Sequence, residues 1–403
     1  MVEIKGGVCA AKGFTAAGIH CGIRKNKNKK DLALIFSEQK CAAACVYTQN
    51  LVKGAPLVVT KSNLANGIAQ AIICNSGNAN TCNADGQQVA LKMCELVQKH
   101  LGIDKNDVVV ASTGVIGQPL PIEPIQNGMQ QLVKELGPNS SDAAMAIMTT
   151  DTKVKEIAFS FELSGKTCHI GGIAKGSGMI HSNMATMLVF ITTDVAISHT
   201  MLQSALSSNV KDTFNMISID GDTSTNDMVC VLANGAAGNA TIIDNDKDYE
   251  LFKDALDAVA TYLCREIARD GEGATKLLEC RVSGAKDKKN AKLIAKSVIS
   301  STLFKCAMFG KDANWGRILC AIGYSGAELD VESVGVTLSS SAGSIEVCKN
   351  GSGLPFDEDK ASLVLSEDEI IIDISLKDGS QTATAWGCDM SYDYIKINGD
   401  YRT

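Results

Sequence analysis

The 403-residue chain carries 38 Lys and Arg against 45 Asp and Glu, a formal net charge of −7 at pH 7, and 45% of its residues are apolar. That balance excludes a nucleic-acid partner, which needs a basic face to neutralise phosphates, while the apolar content supplies a substantial core for two or three domains or one large fold. Met1–Gly7 lacks a basic segment leading into an apolar one, and no apolar run reaches the roughly 20 residues of a membrane span, so neither a secretion signal nor a membrane anchor is expected. In chain order, the Lys- and Asn-rich run Lys25–Lys30 reads as a solvated loop. Ile68–Cys74 and Asp107–Ala111 are short apolar strands, each running into a Ser/Gly/Asn-rich turn, and Gly86–Leu101 between them carries apolar residues at helical spacing. His169–Ala174 and Met187–Thr192 read as strands around a polar hinge, Lys175–Thr186. Helices are expected over Thr200–Phe214, Tyr249–Arg269 and Lys292–Phe309. Further on, Val334–Leu338 and Ser344–Cys348 flank a Ser-Ala-Gly turn, and Glu369–Leu376 and Thr382–Trp386 flank Lys377–Ser380; both pairs read as hairpins. The final stretch, Tyr392–Thr403, is rich in aromatic and β-forming residues, which predicts an end tied down inside the fold rather than a loose tail. With no internal repeat, the expected class is α+β with some antiparallel sheet.

Fifteen cysteines run from Cys9 to Cys388 without a C-x-x-C pair, the nearest two being Cys41 and Cys45. Zinc sites and disulfide scaffolds both need recurrent close spacing. Residues such as Cys230 and Cys320 lie in apolar stretches, so most read as small reduced core side chains, and a reducing cytosol is the expected compartment.

Several widespread catalytic signatures do not occur: G-x-S-x-G, H-E-x-x-H and the P-loop sequence. Gly176-Ser177-Gly178 opens like a dinucleotide loop but meets His181 where the third glycine belongs. Asp220–Asp227 imitates a calcium loop, with Thr225 in place of the sharp-turn glycine and Val231 in place of the bidentate glutamate. The spacing of His20, His100, His169, His181 and His199 favours no triad. What remains is a series of Thr/Gly/Lys-rich turns: Ala111–Gly117, Thr149–Thr152, Lys175–Thr186, Asp270–Lys276 and Asn398–Thr403. Taken singly, each is a structural turn; the hinge is a hairpin loop ahead of a strand-initial threonine, and Asp270-Gly271 ends a long helix.

Taken together, these turns carry a resemblance. The segment Lys175–Leu188, KGSGMIHSNMATML, resembles the cleavage-site motif of the glutamate N-acetyltransferase (ornithine acetyltransferase) family of arginine biosynthesis. The likeness covers essentially the whole chain and includes Asn75–Asn80, Ser112–Gly117, Thr149–Thr152, Asp220–Asp227, Asp270–Lys276, Asn314–Arg317 and Tyr392–Thr403. One departure stands at the hinge, where Ser182 replaces the usual proline and bears on the rate of cleavage.

The resemblance implies scission between Ala185 and Thr186, giving an α chain, 1–185, and a β chain, 186–403. The two would interlock in one fold of stacked β-sheets flanked by helices, similar to the N-terminal-nucleophile hydrolase sandwich but with its own connectivity, and assemble as two α and two β chains. A threonine hydroxyl needs a base, and the freed α-amino group, with an ordinary pKa of about 7.7–8.0, can serve. The implied reaction passes an acetyl group from N-acetylornithine to glutamate through acetyl-Thr186, with Thr113 and the Gly114 N–H holding the oxyanion. The implied substrate-binding residues are Thr149 (or the adjacent Thr150), Lys175, Glu272, Asn398 and Thr403. Lys175 suits a substrate carboxylate and Glu272 the ornithine ammonium. No metal and no bound cofactor is implied; acetyl-CoA enters as an optional second donor. An N-terminal-threonine amidohydrolase on a related fold is the alternative, differing in whether an amine or water resolves the acyl-enzyme.

Overall fold

The computed structural model describes residues 1–181 and 187–400. The chain opens with strands β1 (Val2–Ile4), β2 (Phe14–Ile19) and the long β3 (Leu32–Tyr47). Helix α1 (Ala55–Asn63), β4 (Ile68–Asn78), α2 (Gly86–Leu101), β5 (Val108–Val115), α3 (Ile122–Lys134) and α4 (Ser140–Ile147) follow. Next come β6 (Lys155–Leu163), β7 (Lys166–Lys175), β8 (Ile180–His181), β9 (Leu188–Thr193), α5 (His199–Asp212), β10 (Ile217–Thr223), β11 (Met228–Ala233) and α6 (Lys247–Arg269). The last part holds β12 (Leu277–Ala285), α7 (Lys288–Ser300), α8 (Thr302–Phe309), α9 (Trp315–Gly323), β13 (Gly335–Ser340) and β14 (Gly343–Lys349). It closes with β15 (Ser352–Gly353), α10 (Glu358–Val364), β16 (Glu369–Ser375), β17 (Gln381–Cys388) and α11 (Tyr392–Asp400).

Two mixed sheets carry the fold. The first runs β1-β6-β7-β9-β11-β3-β4-β5, with β2 also on β3; the second runs β15-β14-β13-β16-β12-β17-β10-β8. Strand β3 is the pivot of the first. Its N-terminal half pairs with β2 and β4 and its C-terminal half with β11, with an irregularity between Phe36 and Cys41. Successive side chains of a strand point to opposite faces. Ala33, Ile35, Cys41, Ala43 and Cys45 therefore share one face, and they join a single core with Ile72 and Val109 on one side and Ile173, Phe190 and Leu232 on the other. The two halves of the sheet thus stack on each other, with α4 completing the core between them. Outside the first half, α2 presents Val89, Met93, Leu96 and Val97 to a second core. Outside the other half, α6 buries Phe252, Leu256, Val259, Leu263 and Ile267, spaced at three and four residues, and so faces the first sheet and the β12–β17 sheet at once. The architecture is the expected α+β sandwich of stacked sheets flanked by helices.

Three expectations need correction. Lys292–Phe309 is two helices: Ser301 leaves helical geometry and its hydroxyl accepts from the Phe304 N–H at 3.3 Å, capping α8. Glu369–Ser375 and Gln381–Cys388 do not form a hairpin, because β12 lies between them, parallel to β16 and antiparallel to β17. Their connection passes over the end of β12, where the N–H groups of Asp378 and Gly379 donate to the Gly284 carbonyl at 3.0 and 2.9 Å. Alternating apolar residues specify a buried face but not the neighbouring strand. The tail, rich in strand-favouring residues and expected to be tied down inside the fold, is over Tyr392–Asp400 a surface helix with no buried residue. Its start is fixed by tertiary contacts that override weak β-propensity: the Ser391 hydroxyl donates to the Gly273 carbonyl at 2.5 Å and accepts from the Asp393 N–H at 3.2 Å.

All fifteen cysteines are free, and ten are buried, Cys230 among them, whereas Cys320, expected in the core, is exposed. Among the described residues no helix is long and apolar enough to cross a membrane.

Candidate active site

A cavity of about 310 Å³ lies where β5, the end of β7, the β10–β11 turn and the turn after α6 meet. The first wall comes from the parallel pair β4 and β5, which sets Gly77 beside Gly114. Gly114 has φ +128°, and a Cβ there would lie 2.4 Å from the Gly77 carbonyl carbon. Only glycine lets the two backbones approach so closely. The pair is braced from behind, where the Ser112 hydroxyl donates to Asn75 Oδ1 at 2.6 Å and Asn75 Nδ2 donates to the Asn78 carbonyl at 2.9 Å. Gly114→Ala is expected to lose about 1–3 kcal/mol from the backbone strain alone, with a matching loss of turnover as the 113–114 peptide is displaced. Denaturant unfolding and initial rates check this; wild-type stability and rate would show that the loop yields.

Asn226 ties this wall to the β10–β11 turn. Its Nδ2 donates to the carbonyls of Ala79 and Ser112 at 2.6 and 2.9 Å, and its Oδ1 accepts from the hydroxyls of Thr81 and Thr225 at 2.5 and 2.6 Å. Every hydrogen-bonding position of the amide is used, so the side chain is fixed.

The opposite wall rests on a buried ion cluster. Lys155, at the start of β6, is fully buried and lies 2.8 Å from Asp151 and 2.5 Å from Asp270. Asp151 also accepts from the N–H groups of Thr149 and Gly176 at 2.9 and 2.7 Å, and Asp270 from the Thr152 N–H at 3.0 Å and from its hydroxyl. Three lining segments are thereby joined: the turn 149–152, the exit of β7 and the turn after α6. Burial would raise the Asp151 carboxyl, but Lys155 and Lys175 outweigh it and hold the group well below the usual carboxylate range.

Glu272 closes the site. Its N–H donates to the Ser177 carbonyl at 2.8 Å, its carboxylate packs over Gly178, and Oε2 accepts from Asn398 Nδ2 at 2.8 Å. The Thr150 and Ser177 hydroxyls share a 2.6 Å hydrogen bond. Asp220 accepts from the N–H groups of Met179 and Ile180 at 2.5 and 2.8 Å, and burial pushes its carboxyl upward although these bonds oppose the shift. The cavity therefore pairs a buried cation, Lys175, with an anion, Glu272, an arrangement suited to an amino acid bearing both charges.

Thr113, Gly114, Thr149, Thr150, Lys175, Glu272 and Asn398 all line this one cavity. Both candidate threonines, 149 and 150, face it. Ser182, Ala185, Thr186 and Thr403 lie outside the described residues. No histidine lines the cavity, and among the described residues no group of three or more His, Cys, Asp or Glu is placed to hold a metal ion. Sequence reasoning singled out the threonines of the Thr149–Thr152 turn and read Asp270 as a helix stop, gave Asp151 no role, and passed over Lys155. The available signal was a lysine opening an apolar strand at β6, which demands a buried counter-charge.

A model of the ArgJ family matches residues 15–403. The arginine biosynthesis bifunctional protein ArgJ of Symbiobacterium thermophilum is 51% identical, with both chains covered in full. ArgJ 1 of Clostridium acetobutylicum is 50% identical over 97% of this chain and 96% of that protein. Among solved structures, the argJ bifunctional protein of Bacillus halodurans has 46% identity and a TM-score of 0.51, with 54% of this chain matching all of that one. The ornithine acetyltransferase of Mycobacterium tuberculosis complexed with ornithine has 35% identity and a TM-score of 0.42 over 45% of this chain and 98% of that one. On a family match that spans nearly every residue, carried by full-length relatives about half identical, the chain belongs to the ArgJ family and is an acetyltransferase of arginine biosynthesis.

Proposed function

We propose that the chain moves an acetyl group from N-acetylornithine to glutamate in two half-reactions through an ester on Thr186, freed by scission after Ala185, and that acetyl-CoA also loads this residue. The observation that carries the reading is the convergence of Thr113, Gly114, Thr149, Thr150, Lys175, Glu272 and Asn398 on one cavity, which Met187 also lines. The Thr186 hydroxyl attacks the acetyl carbonyl and passes its proton to the α-amine of the same residue. The tetrahedral oxyanion accepts from the Thr113 hydroxyl and the Gly114 N–H, donors of a kind that typically contribute about 3–4 kcal/mol. Collapse returns the proton to the departing ornithine nitrogen and leaves acetyl-Thr186; the glutamate amine then repeats the sequence in reverse. Lys175 pairs with the substrate carboxylate and Glu272 with the ornithine ammonium, while Thr149 or Thr150, Asn398 and Thr403 complete the contacts.

Scission leaves the α chain, 1–185, and the β chain, 186–403, sharing one sheet, because β7 pairs with β9 and β3 with β11 across the cut. We place the enzyme in the cytosol, where its free thiols stay reduced, as an assembly of two α and two β chains. Initial rates at varied N-acetylornithine and glutamate test the mechanism: parallel double-reciprocal lines are expected, and intersecting lines would require direct transfer in a ternary complex. Equal acetate release with and without glutamate would instead make it an amidohydrolase.

A further inference from the structure

A second, larger cavity of about 860 Å³ shares a wall with the first: Thr223 and His181 line it, while Ser224, next to Thr223, and Met179, two residues before His181, line the amino-acid cavity. Its chemistry is different. Lys288, Lys289, Lys292 and Lys296 reach it from α7 and Lys211 from the end of α5, and among the described residues no carboxylate lines it. Carboxylates nearby include Asp212, which pairs with Lys292 at 2.6 Å and Lys288 at 3.4 Å, Asp257, which also acts on Lys288, Asp287, which caps α7, and Asp222, which acts on His181. Five ammonium groups thus gather in one concavity of a chain whose net charge is −7. Lys288, Lys292 and Lys296 stand four residues apart on one helix face, a spacing at which like charges repel. Half-buried Lys296 is affected further, since burial lowers its ammonium to about 8. A polyanion would relieve both penalties. Hydroxyls of Ser300 and Tyr324 offer hydrogen bonds, and Met216 and Leu293 offer apolar contact for a ring or chain. The volume falls within the roughly 300–1,000 Å³ usual for small-molecule sites.

We propose that this lysine-lined cavity binds the phosphates of a nucleotide-type ligand, as a site separate from the amino-acid cavity. Such phosphates come either from the phosphorylated handle of a thioester acetyl donor or from a free nucleotide. The first source rests on the function proposed above; the binding site itself does not.

Calorimetry on the purified full-length enzyme, with inorganic tripolyphosphate and adenosine 3′,5′-bisphosphate as probes, tests the proposal. Saturable binding is expected, weakened roughly tenfold in Lys211→Gln/Lys289→Gln and in Lys296→Gln, and weakened again as salt rises from about 50 to 200 mM. The first variant alters only exposed side chains, so it keeps the test valid if Lys296→Gln folds poorly. Transfer from N-acetylornithine to glutamate should stay at the wild-type rate in Lys211→Gln/Lys289→Gln. Absence of saturable binding by the wild type at low salt, or equal binding by both variants, overturns the site. The source is read from KM. A rise confined to acetyl-CoA, with the acetyl thioester of N-acetylcysteamine unaffected, assigns the donor handle; unchanged KM for both, with phosphate binding lost, assigns a free nucleotide. Failure of the functional reading would appear separately, as absence of transfer from N-acetylornithine in the wild type.

Discussion

Thr186→Ala is expected to run as one band near 42.5 kDa on a denaturing gel and to transfer no acetyl group. Both losses have one cause. The hydroxyl that would attack the Ala185 carbonyl is the hydroxyl that would attack the acetyl carbonyl, and the amine that serves as its base exists only after scission. No histidine lines the cavity to act in its place. Removing the nucleophile of a unit of this kind typically costs about 10⁴-fold or more, because the remaining groups cannot work without it. The oxyanion donors and the charged pair Lys175 and Glu272 would remain, so the variant should still bind N-acetylornithine. Thr186→Ser keeps hydroxyl and amine and should restore scission with a reduced rate. A time course of band intensity, followed by an acetyl-transfer assay on the same samples, checks all of these points. Two bands from Thr186→Ala would remove self-cleavage by this residue, and full transfer from an uncut chain would remove the amine as base.

The layers of the fold were legible in the sequence because burial leaves a period. Gly86–Leu101 and Tyr249–Arg269 show a helical one, and the apolar runs at 68–74 and 107–111 were readable as strands. Pairing was not legible. Nothing in Glu369–Ser375 or Gln381–Cys388 says that β12 lies between them, since that partner arrives from about ninety residues away. The tail shows propensity losing to context, because one hydroxyl on the Gly273 turn starts a helix in residues that favour strands. At the site, isolated turns such as Thr149–Thr152 look structural, and only their joint likeness to a family gathers them. The resemblance brought forward the groups that would touch substrate. It gave no role to the charges that hold those groups in place: Asp151 and Asp270 sit in two of the turns, but Lys155, which joins them, lies a layer deeper and in neither.

Those deeper charges carry the second large effect. Lys155→Met keeps the aliphatic stem and removes the ammonium, leaving Asp151 and Asp270 buried against each other. Breaking a buried ion pair in this way costs about 3–5 kcal/mol near pH 7. Activity should fall as well, because the two carboxylates fix the Thr149 and Gly176 N–H groups and the Thr152 turn. The pH dependence separates charge from packing. In the wild type the Asp151 carboxyl is held below its ordinary range, so its contribution to stability is fully present above the unfolded value of about 3.9 and is lost as pH falls through the folded one. In Lys155→Met the balance shifts, since burial and the neighbouring Asp270 oppose the charge while Lys175 and the Thr149 and Gly176 N–H groups alone still favour it. The folded pKa then rises above the unfolded value, and the variant gains stability relative to wild type as pH falls and the carboxyl takes up a proton. Denaturant unfolding at pH 7 and pH 5 should therefore show a smaller gap between the two proteins at pH 5. Adding Asp151→Asn to Lys155→Met should recover part of the loss at pH 7, because it removes one of the stranded charges. A gap independent of pH, with no recovery in the double variant, would mean that Lys155 acts through the volume of its stem and that the cluster does not position the site by charge.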